Sequence, residues 1–331
     1  MINNQLYPLK FEPICLEKIW GGNRLKTLLN KNYDLKNCGE SWEISGFEDK
    51  VSVVANGFLK GNDLNELIEI YMGDLVGDKV YEKFGNEFPL LIKFIDAQED
   101  LSIQVHPNDK LSKERHNAFG KTEMWYVVDA AEGALINSGF NQLVDREKYL
   151  QYLENGNLTD LLKYDDVNVG DVFFIPAGRV HAICKGSMVT EIQQTSDMTY
   201  RIFDYNRKDE KGNERELHTD LALDAIDFSY LDEYKTKYSV ELNKSTEIVS
   251  CKYFTTNIIE FDQPLEKDYF KLDSFVIYIT LEGRFEVETE EGTVKAGKGE
   301  TVLIPASIDF LKLKPINGKV KLLEVYIKNH S

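Results

Sequence analysis

The chain has 331 residues, 42% hydrophobic and 29% charged, enough apolar material for a core and too much for global disorder. With 39 Lys and Arg against 56 Asp and Glu, the net charge is −17, a field that disfavours nucleic acid and anionic membrane as partners. An anionic ligand would need a local cluster of Lys and Arg to overcome that field. No run approaches the roughly 18 apolar residues of a membrane helix. The N-terminus has neither the basic nor the apolar region of a signal peptide, so a cytoplasmic location is expected. Cys15, Cys38, Cys184 and Cys251 form no C-x-x-C pair and read as reduced thiols, each a small buried hydrophobe.

From the N-terminus, short apolar runs bounded by turn residues predict strands over 41–45 and 50–54. A helix is predicted over 63–71, capped by Asn62 or Asp63, with Leu64, Leu67, Ile68 and Tyr71 on one face. The strand over 90–95 carries Lys93 between Leu91 and Ile95. An unpaired Lys in a core is costly, so Lys93 either pairs with a glutamate or faces an anion in a cavity. On the strand over 101–106, Ser102, Gln104 and His106 share one face, with Leu101, Ile103 and Val105 on the other. That polar face turns either to solvent or into a site. The strand over 123–128 follows, with Lys121, Glu123 and Trp125 alternating onto one face. Helices are predicted over 145–153 and 158–162, and a strand over 172–176.

The strand over 189–193 places Glu191 and Gln193 together; Asp197 and Arg201 follow in a loop. An edge strand with a salt-bridged turn is the plainer alternative for that segment. A helix over 216–226 precedes strands over 274–281, 284–289, 301–305 and 319–327. Many short strands with few helices argue for an all-β sandwich or barrel with helical insertions. His116, His218 and His330 read as surface or packing residues.

One repeat organises the chain. Gly170-Asp-Val-Phe-Phe-Ile-Pro176-Ala and Gly299-Glu-Thr-Val-Leu-Ile-Pro305-Ala share a Gly turn, an apolar strand and a terminating Pro. Two copies suggest two barrels, residues 1–240 and 241–331. The first copy continues to Gly178 and His181. Chance would supply that Gly, Pro, Gly, His spacing in roughly 5 of 10,000 such chains, so it is treated as a motif. It resembles the second signature of the cupin superfamily, which implies two double-stranded β-helix (jelly-roll) barrels in a mainly β fold. His181 would then point into the first barrel. Pro305 is followed by Ala-Ser-Ile without a His, so the C-terminal barrel resembles a degenerate cupin without its metal site. The helical insertions fall at about 61–85, 142–163 and 216–227 of the first unit.

Two neutral imidazoles and a carboxylate suit zinc or another borderline divalent ion, and a carboxamide oxygen can add a fourth ligand. Non-haem iron oxygenases use the same trio, so the residues alone leave that class open.

Taken jointly, the segments resemble the type I mannose-6-phosphate isomerases (phosphomannose isomerases) in their short bacterial form. The resemblance spans nearly the whole chain. It rests on Ile19-Trp-Gly-Gly-Asn-Arg-Leu25, Gly39-Glu-Ser-Trp-Glu-Ile-Ser45, Ser52-Val-Val-Ala-Asn-Gly57 and Phe88-Pro-Leu-Leu-Ile-Lys-Phe-Ile-Asp-Ala97. It continues through Leu101-Ser-Ile-Gln-Val-His-Pro-Asn-Asp109, Gly120-Lys-Thr-Glu-Met-Trp-Tyr126, Ile175-Pro-Ala-Gly-Arg-Val-His-Ala182 and Tyr200-Arg-Ile-Phe-Asp-Tyr205.

The resemblance implies that Gln104, His106, Glu123 and His181 hold one Zn2+ per chain, and that Arg201 is the active-site arginine. It implies that Lys93, Ser102 and Lys121 line the phosphate and sugar pocket, with Glu191 and Asp197 as acidic residues around it. Larger members carry a substantial helical domain, reduced here to the helices between Glu123 and His181.

The implied reaction interconverts mannose 6-phosphate and fructose 6-phosphate through a cis-enediolate, feeding mannose into glycolysis or supplying GDP-mannose synthesis. It needs an oxyanion stabiliser and a base. Arg201 suits the first role. Glu191 suits the second, because a dry barrel raises a carboxylate pKa; Asp197 is its rival. Lys121 would assist ring opening or grip phosphate. Another cupin sugar isomerase or epimerase, an iron-dependent dioxygenase, and a sugar-phosphate sensor without turnover remain the alternatives. The expected partner is a small sugar phosphate, with no nucleic acid and no membrane.

Overall fold

Every predicted strand segment contains a strand in the computed structural model, which describes residues 5–208 and 212–328. Eleven strands before residue 204 build two facing sheets. They are β1 (Ile14–Gly22), β2 (Cys38–Ile44), β3 (Leu90–Asp96), β4 (Ile103–Val105), β5 (Glu123–Ala130), β6 (Leu135–Phe140), β7 (Leu162–Asp166), β8 (Val172–Ile175), β9 (His181–Ile183), β10 (Ser187–Gln194) and β11 (Tyr200–Phe203). One sheet runs β1-β2-β3-β10-β5-β8 and the other β11-β4-β9-β6-β7.

Nine strands after residue 243 repeat the plan. These are β12 (Lys244–Ser250), β13 (Thr255–Phe261), β14 (Leu265–Asp268), β15 (Val276–Glu282), β16 (Arg284–Thr289), β17 (Gly292–Gly297), β18 (Thr301–Ile304), β19 (Phe310–Pro315) and β20 (Val320–Tyr326). Their sheets run β12-β13-β20-β15-β18 and β14-β19-β16-β17. The expected mainly β fold with two cupin barrels and small helical insertions is what the chain adopts.

Side-chain alternation assigns each face of these sheets a job. Ile44, Phe94, Met124 and Ile192 point out of the first barrel and pack against Ile258, Ile277 and Leu323 from the back of the second. Full burial of such side chains contributes about 2 kcal/mol each. The opposite face of the second barrel closes on itself through Tyr278, Phe285, Leu313 and Leu322. Inside the first barrel, apolar packing from Ile95, Val127 and Ile136 covers one part only, and polar residues fill the rest.

The helices α1 (Arg24–Leu29), α2 (Leu64–Tyr71), α3 (Gly73–Val76), α4 (Asp78–Phe84), α5 (Asp109–His116), α6 (Arg146–Glu154) and α7 (Thr219–Ala225) sit around the barrels. Asp63 is the cap of α2: its carboxylate accepts from Glu66 N at 2.9 Å while Glu66 Oε2 accepts from Asp63 N at 3.2 Å. Downstream, α3 and the start of α4 dock on the second barrel, where Phe275 N donates to Val76 O and Ala306 N to Leu75 O.

Several expectations shift. The segment 158–162 is a 3-10 turn (Leu158–Leu161), and Leu162 opens β7. The helix expected over 216–226 starts at Thr219. Over 50–54, only the two-residue strand Lys50–Val51 forms, paired with Gly46–Phe47. The cysteines are free thiols; Cys38 and Cys184 are buried as expected, whereas Cys15 and Cys251 are only half-buried. Among the described residues no helix is long and apolar enough to cross a membrane.

Candidate active site

Strand register assembles the site. Across one sheet, Trp42, Lys93, Glu191, Trp125 and Phe173 form a single row. Two residues further along, Leu91, Gln193, Glu123 and Ile175 form the next. Across the facing sheet, Arg201, Gln104, His181 and Ser138 line up. Cross-strand partners project from the same face, so these rows confront one another inside the barrel. The polar face of Ser102, Gln104 and His106 therefore looks inward, while Ile103 and Val105 pack outward beneath α6 and α7.

One turn ties the two histidine segments together. Gly178 has φ +94° and donates its N–H to His106 O at 2.9 Å. A Cβ there would meet Ala225 O at 3.0 Å, so both conformation and space call for glycine. Pro176 ends β8 just before this turn, and His181 opens β9 just after it.

His106, Glu123 and His181 are all buried, and their ligand atoms lie within 4.8 Å of one another. Glu123 Oε2 is 3.4 Å from His106 Nε2, and Glu123 Oε1 is 3.4 Å from His181 Nε2. Both imidazoles are anchored through Nδ1, on Met198 O at 2.9 Å and Arg179 O at 2.8 Å. That network sets the tautomer and turns each Nε2 lone pair toward the carboxylate, the arrangement that orients metal-binding histidines. Glu123 Oε1 is buried without a hydrogen-bond partner. Burial pushes His106 down to about 4, helped by the Lys121 ammonium, and burial also lowers His181. Burial alone would raise Glu123, but Lys121 and His106 outweigh it and hold the carboxyl well below its usual range. Neutral imidazoles beside an ionised carboxylate with an unpaired oxygen fit a divalent cation. Gln104 lies beside them with its amide nitrogen Nε2 3.3 Å from His181 Nε2, while its oxygen accepts from Ser102.

A cavity of about 290 Å³ opens beside this cluster, its walls carrying five basic and three acidic side chains. Lys93 meets both expectations raised for it. Its ammonium is 3.4 Å from Glu191 Oε1 and 3.8 Å from Glu40 Oε2, and it lines the cavity over the Trp42 ring. Glu191 is fixed by Trp125 Nε1, which donates to Oε2 at 2.8 Å, and Lys121 lies 3.9 Å from Oε1. Lys121 also donates to Glu123. Ser102 is buried, its hydroxyl donating to Gln104 Oε1 at 3.2 Å. Asp197 sits at the exposed rim. Arg201, expected in a loop, instead lies on β11 paired with Gln104; it lines the cavity, and its Nε is buried without a partner. All ten residues singled out from the sequence thus converge on one side of one barrel.

Other residues here had no individual signal. Lys18, Glu40, Thr199 and Arg215 line the same cavity. The histidines at 116 and 218 are braces: His116 Nε2 meets Tyr200 Oη at 2.7 Å, and His218 Nδ1 accepts from Arg201 N at 3.1 Å. His330 lies outside the described residues. Glu40 is held by Lys18 at 2.9 Å and by Trp42 Nε1 at 2.7 Å. Burial pushes its pKa up, but Lys93 and Lys18 win and bring it down to about 2. A depressed carboxyl stabilises fully above its unfolded value and loses that contribution as pH falls through the folded one. We therefore expect Glu40→Gln to cost about 3 kcal/mol near neutrality. The deficit should shrink from pH 4.5 toward about 2. Urea unfolding across that range measures it; a constant deficit would show that charge pairing is not its origin.

Fold and site together define a cupin whose first barrel holds a candidate metal centre beside a cation-rich cavity. Residues 9–136 match the phosphomannose isomerase type I catalytic domain, and residues 244–327 match the mannose-6-phosphate isomerase cupin domain. Mannose-6-phosphate isomerase ManA of Bacillus subtilis is 34% identical over 313 residues, covering 93% of this chain and 96% of that protein. The mannose-6-phosphate isomerase of Streptococcus mutans is 35% identical over 306 residues, covering 91% and 93%. The crystal structure of a mannose 6-phosphate isomerase from Bacillus subtilis superposes with a TM-score of 0.87 at 33% identity, over 97% of this chain and 99% of that one. The chain belongs to the type I phosphomannose isomerase family. That membership bears out the resemblance and the expectation of an isomerase enzyme, and it displaces the oxygenase and sensor alternatives.

Proposed function

We propose that the chain interconverts mannose 6-phosphate and fructose 6-phosphate with one zinc ion held by His106, Glu123, His181 and Gln104. The observation that carries this reading is the buried His–Glu–His cluster opening on a cavity with five cations, in a chain of this family. Bound there, zinc supplies a Lewis acid for the oxygens at carbons 1 and 2 of the open-chain sugar.

The remaining chemistry falls to the chain's own side chains. Lys93 and Ser102 anchor the phosphate, whose binding energy positions the reacting carbons. Arg201, with a free buried Nε, bonds the enediolate oxygens as negative charge develops. Glu191 takes the proton from one carbon and returns it to the other, with Asp197 as the competing group. Lys121 keeps a cation next to the sugar oxygens and assists ring opening. The local excess of positive charge lets a phosphate dianion enter a chain of net charge −17. Distant acidic groups are screened beyond about 8 Å at physiological salt.

We also propose a unit boundary near residue 240, in the stretch between β11 and β12, and a cytoplasmic location supported by the free thiols. A coupled assay for fructose 6-phosphate formed from mannose 6-phosphate, with and without added zinc, tests the activity. No turnover in either condition would refute it. Arg201→Ala should lower kcat by about 100-fold or more and change KM less. A change confined to KM would make Arg201 a binding group only.

A further inference from the structure

The second barrel has lost the metal position but kept its neighbouring polar row. The repeat aligns Phe173 with Val302 and Ile175 with Ile304. Strand register then carries the correspondence across both sheets. Val302 pairs with Tyr278, Tyr278 with Glu324, and Glu324 with Asn257, as Phe173 leads to Trp125, Glu191 and Lys93 in the first barrel. Ile304 leads to Val276, the position of Glu123, so the carboxylate ligand is replaced by an isopropyl group.

Glu324 thus stands where Glu191 stands, and its partners are of the same kind. Lys267 Nζ is 2.6 Å from Oε1, Asn257 Nδ2 donates to Oε2 at 2.7 Å, and Tyr269 donates its hydroxyl to Oε1. Glu324 is 1% exposed. A buried charge of this kind is retained at a cost in stability, which apolar replacement would remove. It forms the floor of a cavity of about 790 Å³, larger than the catalytic one.

The walls state what fits. Four lysines balance four carboxylates, which favours neither an anion nor a cation. The ammonium 2.6 Å from the single buried carboxylate already neutralises it, so it is no metal site. Tyr269, Tyr326 and Phe270 line the cavity, and the Phe270 ring is 68% exposed. Hydroxyl groups donate to a carboxylate and accept from ammonium and amide at once, while the C–H face of a ring sugar packs on aromatic rings. We propose that the C-terminal barrel is a second binding site, for a neutral polyhydroxy ligand of the unphosphorylated hexose class, with Glu324, Lys267 and Asn257 as its polar floor and Phe270 as its stacking face.

Saturation-transfer NMR with D-mannose on the full chain tests this, with fructose 6-phosphate added to fill the catalytic cavity. Binding should persist under fructose 6-phosphate and under inorganic phosphate. Phe270→Ala, which removes an exposed ring, should weaken it about tenfold and leave kcat/KM for the isomerase reaction unchanged. Lys267→Met should weaken it as well. Absence of binding, displacement by either phosphate compound, or equal binding by Phe270→Ala overturns the proposal. The readout is binding outside the catalytic cavity, so its failure is distinguishable from failure of the isomerase reading.

Discussion

Treatment with EDTA is expected to bring isomerase activity to background, and stoichiometric zinc to restore it. A large effect is expected from the geometry. Glu123 sits between two imidazoles, one of its oxygens has no hydrogen-bond partner, and all three residues are buried. Without a cation, an ionised carboxylate at this depth leans on Lys121 alone for close charge compensation. A Lewis acid contributes several kcal/mol to an enediolate-forming step, so the loss should be about a thousandfold or more. Metal content and thermal unfolding supply readouts apart from turnover: one zinc per chain, and a rise in Tm on zinc addition. His181→Ala should lose metal and activity together. Full turnover by protein shown to be metal-free would refute the zinc role.

The second large effect is expected at the base. Glu191→Gln should lower kcat by about 100- to 10,000-fold, the usual range for a positioned general base, with KM changed much less. Asp197→Asn should change kcat by less than about tenfold. The asymmetry follows from placement. Glu191 is buried, clamped by Trp125 and centred in the row that faces Gln104 and His181. Asp197 is exposed at the rim, where its orientation is less restrained. Because Glu191 also neutralises Lys93 and Lys121, both variants need a Tm and a metal count beside the kinetics. The reverse pattern, with Asp197→Asn inactive and Glu191→Gln active, would move the base to Asp197.

Much of the site was legible because motif and strand period point the same way. Gly178 and Pro176 mark a turn, and the turn places His181. The alternation Ser102, Gln104, His106 marks a polar face. Where the pattern is weak, elements went unseen. The helix α5 has one apolar residue, Leu111, in its eight, so it has no helical periodicity. Its trace in the sequence is Asn108 after Pro107, and Asn108 Oδ1 indeed caps Leu111 N at 3.0 Å. Glu40 and Lys18 lie outside the strand segments read from the sequence, and Arg215 lies in a polar stretch without pattern. Register with β3 and closure of the barrel bring them to the cavity.

The sequence by itself carried the mainly β class, the two-barrel repeat and the resemblance to the family, and that resemblance implied the ten residues expected around the site. The β class and the repeat are local: they depend on turn residues, on period-two alternation and on motif spacing within a few residues. Only the tertiary structure decided that the polar face of 101–106 turns inward, that Lys93 bridges Glu40 and Glu191, and that His218 steadies Arg201. It alone decided that the second barrel, without its metal position, keeps a buried carboxylate in the place of Glu191. The reason is that sheet register and the facing of two sheets are properties of strands far apart in the chain, where no local pattern reports which side chains will meet.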